Sequence, residues 1–179
     1  AASPIQKPAV PEGKFVHLED RGDVLVRDFG GSPGAPTVIL LHGWTASADL
    51  NWYSSYRALG EHYRVVAFDH RGHAAGLRTK KAFRLEDCAD DAADIATALG
   101  IDSFIPVGYS MGGPISLHLA QRHPDLVAGE GRFDTELMRL GHGQVLSKGG
   151  AEGIQCLSRV GEGMGVAIKV EDGSARAKH

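Results

Sequence analysis

Phe104-Ile105-Pro106-Val107-Gly108-Tyr109-Ser110-Met111-Gly112-Gly113 decides how the rest of the chain is read. An apolar, β-rich run ends at Gly108, and a helical pattern opens beyond the turn and continues to about Arg122. Gly-x-Ser-x-Gly in a strand–turn–helix frame has the form of a nucleophile elbow, in which the serine stands at a bend between strand and helix. The bend is so sharp that a Cβ at Gly108 or Gly112 is expected to collide with neighbouring backbone. Ser110 is thereby lifted toward a cleft at a helix N-terminus, where unpaired N–H groups favour a developing negative charge. The competing reading, a serine that merely begins a helix after a glycine-rich turn, does not account for the strand before it.

Outward from this stretch, residues 14–122 alternate between short β-branched runs and longer helical patterns, the pattern of a sheet covered by helices. Strands are predicted at Phe15–Glu19, Val24–Phe29, Thr37–Leu41, Arg64–Asp69 and Ser103–Gly108. Asp20-Arg21-Gly22-Asp23 suits an antiparallel hairpin between the first two. Val38-Ile39-Leu40-Leu41 and Val65-Val66-Ala67-Phe68 are apolar on both faces, as parallel strands between two helix layers must be. Helices are predicted over Leu50–Glu61 and Leu85–Leu99. In the latter, Cys88, Ala92, Ile95 and Leu99 form the inward stripe, and Asp87, Asp90, Asp91 and Asp94 are expected to face solvent rather than bind a metal. His42-Gly43-Trp44 follows the third strand directly. With Ser110 as nucleophile, the backbone N–H groups of Trp44 and Met111 are candidates for an oxyanion hole.

Composition removes several function classes. Among 179 residues, 19 Lys+Arg against 22 Asp+Glu give a net charge of −3, so no positive excess is present to gather phosphates or anionic lipid. Nucleic acid and membrane are not expected partners. No unbroken apolar run exceeds four residues, too short to span a bilayer, and residues 1–13 form a Pro-containing lead-in without a signal-type apolar core. The chain starts at Ala1 and has its first methionine at Met111, which reads as processing or truncation. The 2 cysteines, Cys88 and Cys156, make neither a disulfide framework nor a metal cluster, so a cytoplasmic location is expected.

Taken together, residues 14–129 resemble the α/β-hydrolase superfamily, in a branch that carries His-Gly-Trp and Gly-Tyr-Ser-Met-Gly-Gly. Asp69-His70-Arg71-Gly72-His73 is similar to the Asp-x-Arg-Gly-x-Gly signature of that fold, with Ala74 and Ala75 loosening its glycine spacing. The resemblance implies a truncated α/β fold with a mostly parallel sheet flanked by helices. It further implies a serine hydrolase acting on an ester or similar small acyl substrate, with Ser110 as nucleophile and no cofactor or metal. Serine at position 110, where an aspartate would mark dehalogenase or epoxide-hydrolase chemistry, argues for acyl transfer.

The remainder differs. All but one of the 12 aromatic residues lie at or before Tyr109, whereas 11 of the 24 glycines lie from Gly129 onward. Gly129-Glu130-Gly131-Arg132 stands where a further hydrophobic strand is expected, so the sheet reads as cut short. His123–Thr135, Lys148–Gly153 and Gly165–Gly173 resemble the C-terminal part of the asparaginase II family, whose catalytic Ser-x-x-Lys segment has no counterpart here. Three segments follow: a lead-in over 1–13, a hydrolase-like core over 14–129 and an asparaginase II-like segment over 130–179. The last is a glycine-rich tail with strand-like pieces at Gln144–Leu146, Ile154–Leu157 and Val166–Val170, read as an antiparallel meander. An unfinished sheet also exposes an edge through which the chain could self-associate.

A serine hydroxyl needs a histidine to take its proton and an acid to orient that histidine. Past the elbow, His142, His179, Asp134 and Asp172 are weak candidates for these parts. His118 lies eight positions along the elbow helix, ~12 Å from Ser110 at 1.5 Å per residue, and cannot serve. His70 and His73 read as loop residues near the cleft. Three functions stay open: an esterase-like serine hydrolase; a catalytically incomplete hydrolase fold that acts as a binding module; and an asparaginase-like amidohydrolase.

Overall fold

A computed structural model of the chain describes residues 10–128, together with the backbone pairing of residues 144–145, 157–158 and 166–167. β1 (Gly13–Leu18) and β2 (Gly22–Phe29) form the expected antiparallel hairpin. Its turn places Asp20 at φ +60° and Gly22 at φ +97°, and Arg21 N–H donates to Leu18 O at 3.1 Å. β3 (Thr37–Leu41), β4 (Arg64–Phe68) and β5 (Ile105–Gly108) are parallel, with β3 between the other two. β2 joins β4 antiparallel, and β6 (Gln144–Val145) joins β5 antiparallel, giving the order β1-β2-β4-β3-β5-β6.

The apolar-on-both-faces pattern has its expected consequence. Ile39, Leu41, Val66 and Phe68 pack on one face against α3 (Leu85–Ala98) and α4 (Gly112–Arg122), where Ile95, Ile115 and Leu119 are fully buried. Val38, Leu40, Val65, Ala67 and Val107 pack on the other, against Trp52, Tyr56 and Leu59 of α1 (Ala48–Trp52) and α2 (Tyr56–Gly60). The helix expected over Leu50–Glu61 is therefore two short helices. Ser54 and Ser55, residue types of modest helix propensity, lie at the break. Trp52, Tyr56 and Leu59 keep one buried face in spite of it.

Asp91 corrects the reading of α3 as carrying a solvated acidic face. It is 3% exposed and accepts from Arg71 Nε at 2.6 Å and Arg71 Nη2 at 2.7 Å. Its position, three residues after Cys88 and four before Ile95, sets it on the inward stripe. The other carboxylates are also paired: Asp87 with Arg71, Asp94 with Arg21, and Asp90 with Arg122 and His123. The run is thus a latch that ties α3 to the loop after β4, to the hairpin and to the end of α4.

The outer edge of β5 is partly filled. Val127 makes an isolated parallel bridge to Phe104, with Phe104 N–H on Leu126 O and Ala128 N–H on Phe104 O. β6 pairs with Val107 and Gly108 further along the same edge. β7 (Leu157–Ser158) and β8 (Val166–Ala167) pair antiparallel, as a meander requires. No helix among the described residues is long and apolar enough to cross a membrane.

Candidate active site

In an open parallel sheet, ligands bind beyond the carboxyl ends of the strands, where successive crossovers leave on opposite faces. Here those ends are Leu41 of β3 and Gly108 of β5, paired side by side. Ser110 follows Gly108 at φ +52° and is exposed. That left-handed backbone is costly for a residue with a side chain, by about 1–3 kcal/mol, so the surroundings must enforce it. They do so through close backbone contact. A Cβ at Gly108 would lie 2.2 Å from the carbonyl carbon and oxygen of Gly112, and a Cβ at Gly112 would lie 2.1 Å from Leu41 O. Tyr109 N–H donates to Leu41 O at 2.9 Å, and Gly112 N–H and Gly113 N–H close back on Tyr109 O and Ser110 O at 2.9 and 3.0 Å. Strand, turn and helix are thus locked together around the serine.

The His42-Gly43-Trp44 loop lies against this turn. A Cβ at Gly43 would come 3.3 Å from Ser110 Cβ and 3.0 Å from the Tyr109 ring, so a side chain here would press on both residues. Trp44 is the next residue along this loop, and Met111 stands at the N-cap of α4 directly after Ser110.

Of the nearby histidines, His42 and His73 have ring nitrogens bonded elsewhere, whereas both ring nitrogens of the buried His70 lack a partner among the described residues. His42 is fully buried; its Nδ1–H donates to Gly43 O at 2.8 Å and its Nε2 accepts the His70 N–H at 2.8 Å. Those partners fix a neutral ring, and burial lowers the pKa of His42 below the usual histidine value, because charge is poorly solvated there. His70 is 1% exposed, stacks at 4.4 Å on His42, and is held well below the usual value, first by burial and then by the neighbouring imidazoles. His73 bonds Arg71 O at 3.1 Å and packs edge-on against Trp44 and Phe83. His118 lies on α4 and His123 pairs with Asp90 at 2.7 Å. Among the described residues, no imidazole is hydrogen-bonded to Ser110. His142, His179, Asp134 and Asp172 lie outside the described residues.

Asp69, the first residue of the Asp69–His73 motif, has a structural task that the motif alone does not reveal. Its carboxylate accepts Ala48 N–H at 2.7 Å and Ala75 N–H at 2.9 Å, joining the start of α1 to the loop after β4. The glycine that this loop requires is Gly76, where a Cβ would lie 2.2 Å from His70 O; it sits beyond the Ala74-Ala75 pair that displaces the usual spacing. No group of three or more His, Cys, Asp or Glu among the described residues could hold a metal ion.

The family model for the α/β hydrolase fold matches residues 36–129, more than half of the chain. The chain belongs to the α/β hydrolase fold family. A second model, for L-asparaginase II, matches residues 115–179, and the two matches share residues 115–129, which hold most of α4 and Val127. The hydrolase-fold region is 38% identical over 97 residues to a protein named as carbamate hydrolase RutD of Serratia proteamaculans, covering 54% of this chain and 36% of that one. It is 32% identical over 112 residues to a bifunctional esterase/perhydrolase of Acinetobacter calcoaceticus, covering 62% and 40%. Among solved structures, the enol-lactonase of Burkholderia xenovorans superposes with a TM-score of 0.59 at 27% identity, over 65% or less of either chain, 64% of this one and 44% of that one. Epoxide hydrolases also appear among the α/β hydrolase relatives. The relatives are hydrolases, and the chain spans less than half the length of the curated ones it matches.

Proposed function

We propose that this α/β hydrolase-fold chain carries the nucleophile half of an esterase-like serine hydrolase acting on small acyl substrates. The observation that carries the reading is Ser110 at φ +52° between two glycines that have no room for a Cβ. A non-glycine residue held in this conformation at a strand–helix bend is stored strain of the kind found at functional sites. In the reaction, Ser110 Oγ attacks the acyl carbon, its proton passes to a histidine, and the carbonyl oxygen becomes an oxyanion. Trp44 N–H and Met111 N–H, neither of which bonds another described residue, receive that oxyanion; each such donor typically contributes about 10²–10³ in rate. The leaving alcohol takes the proton back, and water releases the acyl group by the reverse sequence. The serine, and the esterase and lactonase named among the relatives, favour acyl over epoxide substrates. The buried Cys88, with its thiol pushed up to about 12, is inert and suits a reducing cytoplasm.

A second reading is supported by the absence of any imidazole bonded to Ser110 among the described residues. On it, the chain is an incomplete hydrolase fold that binds a ligand or partner without turnover. Reaction of the full chain with a fluorophosphonate decides between the two. A single adduct on Ser110, lost in Ser110→Ala, means an activated nucleophile, and no adduct means the binding reading. Release of ammonia from asparagine would instead support the amidohydrolase reading suggested by the match over 115–179.

A further inference from the structure

Gly43 poses a problem that its neighbours solve. A side chain at this position would press on Ser110 and Tyr109 at 3.0–3.3 Å, and the glycine that avoids this is the residue that least restrains its own backbone. An oxyanion donor works only when it is aimed in advance, so something other than a side chain at position 43 must fix the loop. Two hydrogen bonds do this. The Gly43 carbonyl is held by His42 Nδ1–H at 2.8 Å. That carbonyl and Trp44 N–H belong to one planar peptide, so holding the oxygen on one side aims the N–H to the other. The preceding peptide is held through Gly43 N–H, which donates to Asn51 Oδ1 at 2.8 Å.

We infer that Asn51 is a positioning residue for the oxyanion site, acting through Gly43 N–H on the direction of the Trp44 amide. The inference rests on the serine-hydrolase reading of Ser110 and adds to it a side chain from α1 that touches neither nucleophile nor substrate. Asn51 can serve because α1 is itself anchored. Ser47 Oγ accepts Leu50 N–H at 3.1 Å, Asp69 accepts Ala48 N–H at 2.7 Å, and Trp52 is buried at 3% exposure. Asparagine also suits the task chemically. Its amide oxygen is a neutral acceptor, whereas an aspartate would accept the same N–H but set a negative charge near the developing oxyanion.

The test uses the full chain, a fluorophosphonate probe and the backbone amide resonances of Gly43 and Trp44. Asn51→Leu removes the acceptor at similar volume and is expected to shift the Gly43 resonance, speed its exchange, and slow phosphonylation of Ser110 by about tenfold or more. Asn51→Asp keeps the Gly43 amide protected yet slows labelling through its charge, a split that a purely structural role would not produce; it also guards against loss of fold in the leucine variant. Wild-type labelling rates in both variants overturn the role of Asn51 alone. A wild-type chain that takes no adduct overturns the serine-hydrolase reading, and the oxyanion role of Asn51 with it.

Discussion

Replacing Ser110 by glycine and by alanine gives a test of the elbow that depends on sign. At an ordinary right-handed position, glycine is less stable than alanine by about 0.5–1 kcal/mol, because the unfolded glycine has more freedom to lose. At φ +52° alanine retains the left-handed penalty, about 1–2 kcal/mol, and glycine removes it. Subtracting the entropy cost from the relief leaves Ser110→Gly more stable than Ser110→Ala by about 0.5–1 kcal/mol. For a domain of this size that is a rise of roughly 2–5 °C in midpoint. Both variants lose the hydroxyl and any fluorophosphonate adduct, so stability and reactivity are separated in one pair. Paired urea and thermal unfolding of the two variants gives the answer. A glycine variant less stable than the alanine variant would mean that residue 110 is in ordinary backbone, and the strained elbow would be refuted.

Other expectations follow from specific contacts. Gly112→Ala puts a Cβ 2.1 Å from Leu41 O, a backbone atom that cannot swing away; a loss of about 1–3 kcal/mol is expected, read as a lower urea midpoint, and an unchanged midpoint would contradict the close approach of β3 to the elbow. Arg71→Met takes two of the three bonds from the buried Asp91 carboxylate and leaves the one from Arg21 Nη1 at 2.6 Å; it should cost less than the ~3–5 kcal/mol of a fully unpaired buried charge, with much of the loss recovered in Arg71→Met/Asp91→Leu, and a double mutant no better than the single would show that the pair is not the source. Asp28, held at about 2 chiefly by its bond to Arg64, and Asp90, held at about 2 chiefly by Arg122, have depressed values. Their stabilisation is present above the ordinary 3.8 and lost as pH falls toward about 2, so Asp28→Asn should flatten that part of a stability–pH curve. His42 and His70 are also depressed, from 6.5. They therefore oppose folding as pH drops below about 6.5, since the unfolded chain binds protons that the buried rings refuse, and a stability curve flat from pH 7 to 5 would contradict their neutral burial.

Much of this was legible in the sequence for identifiable reasons. Val38–Leu41 and Val65–Phe68 announce parallel strands because burial on both faces leaves no polar positions, and Gly108 and Gly112 announce the elbow because the bend excludes any Cβ. Contacts between distant residues were harder to read. Asp91 lies on the inward stripe of α3 by spacing, but its partner Arg71 is set twenty residues earlier in a loop, so the charge was read as solvated. Asn51 gives no signal at all: it sits on a short helix, and its partner is a backbone N–H eight residues away. The two-helix break at Ser54-Ser55 leaves Trp52, Tyr56 and Leu59 on one buried face, so apolar periodicity does not register it.

The proposed placing of Ser110 between two amides is tested most directly by a crystal structure of the full chain after reaction with a phosphonate probe. A covalent bond to Ser110 Oγ is expected, with the phosphoryl oxygen about 2.7–3.1 Å from both Trp44 N and Met111 N. A phosphoryl oxygen turned to solvent, or an adduct on a residue other than Ser110, would contradict it.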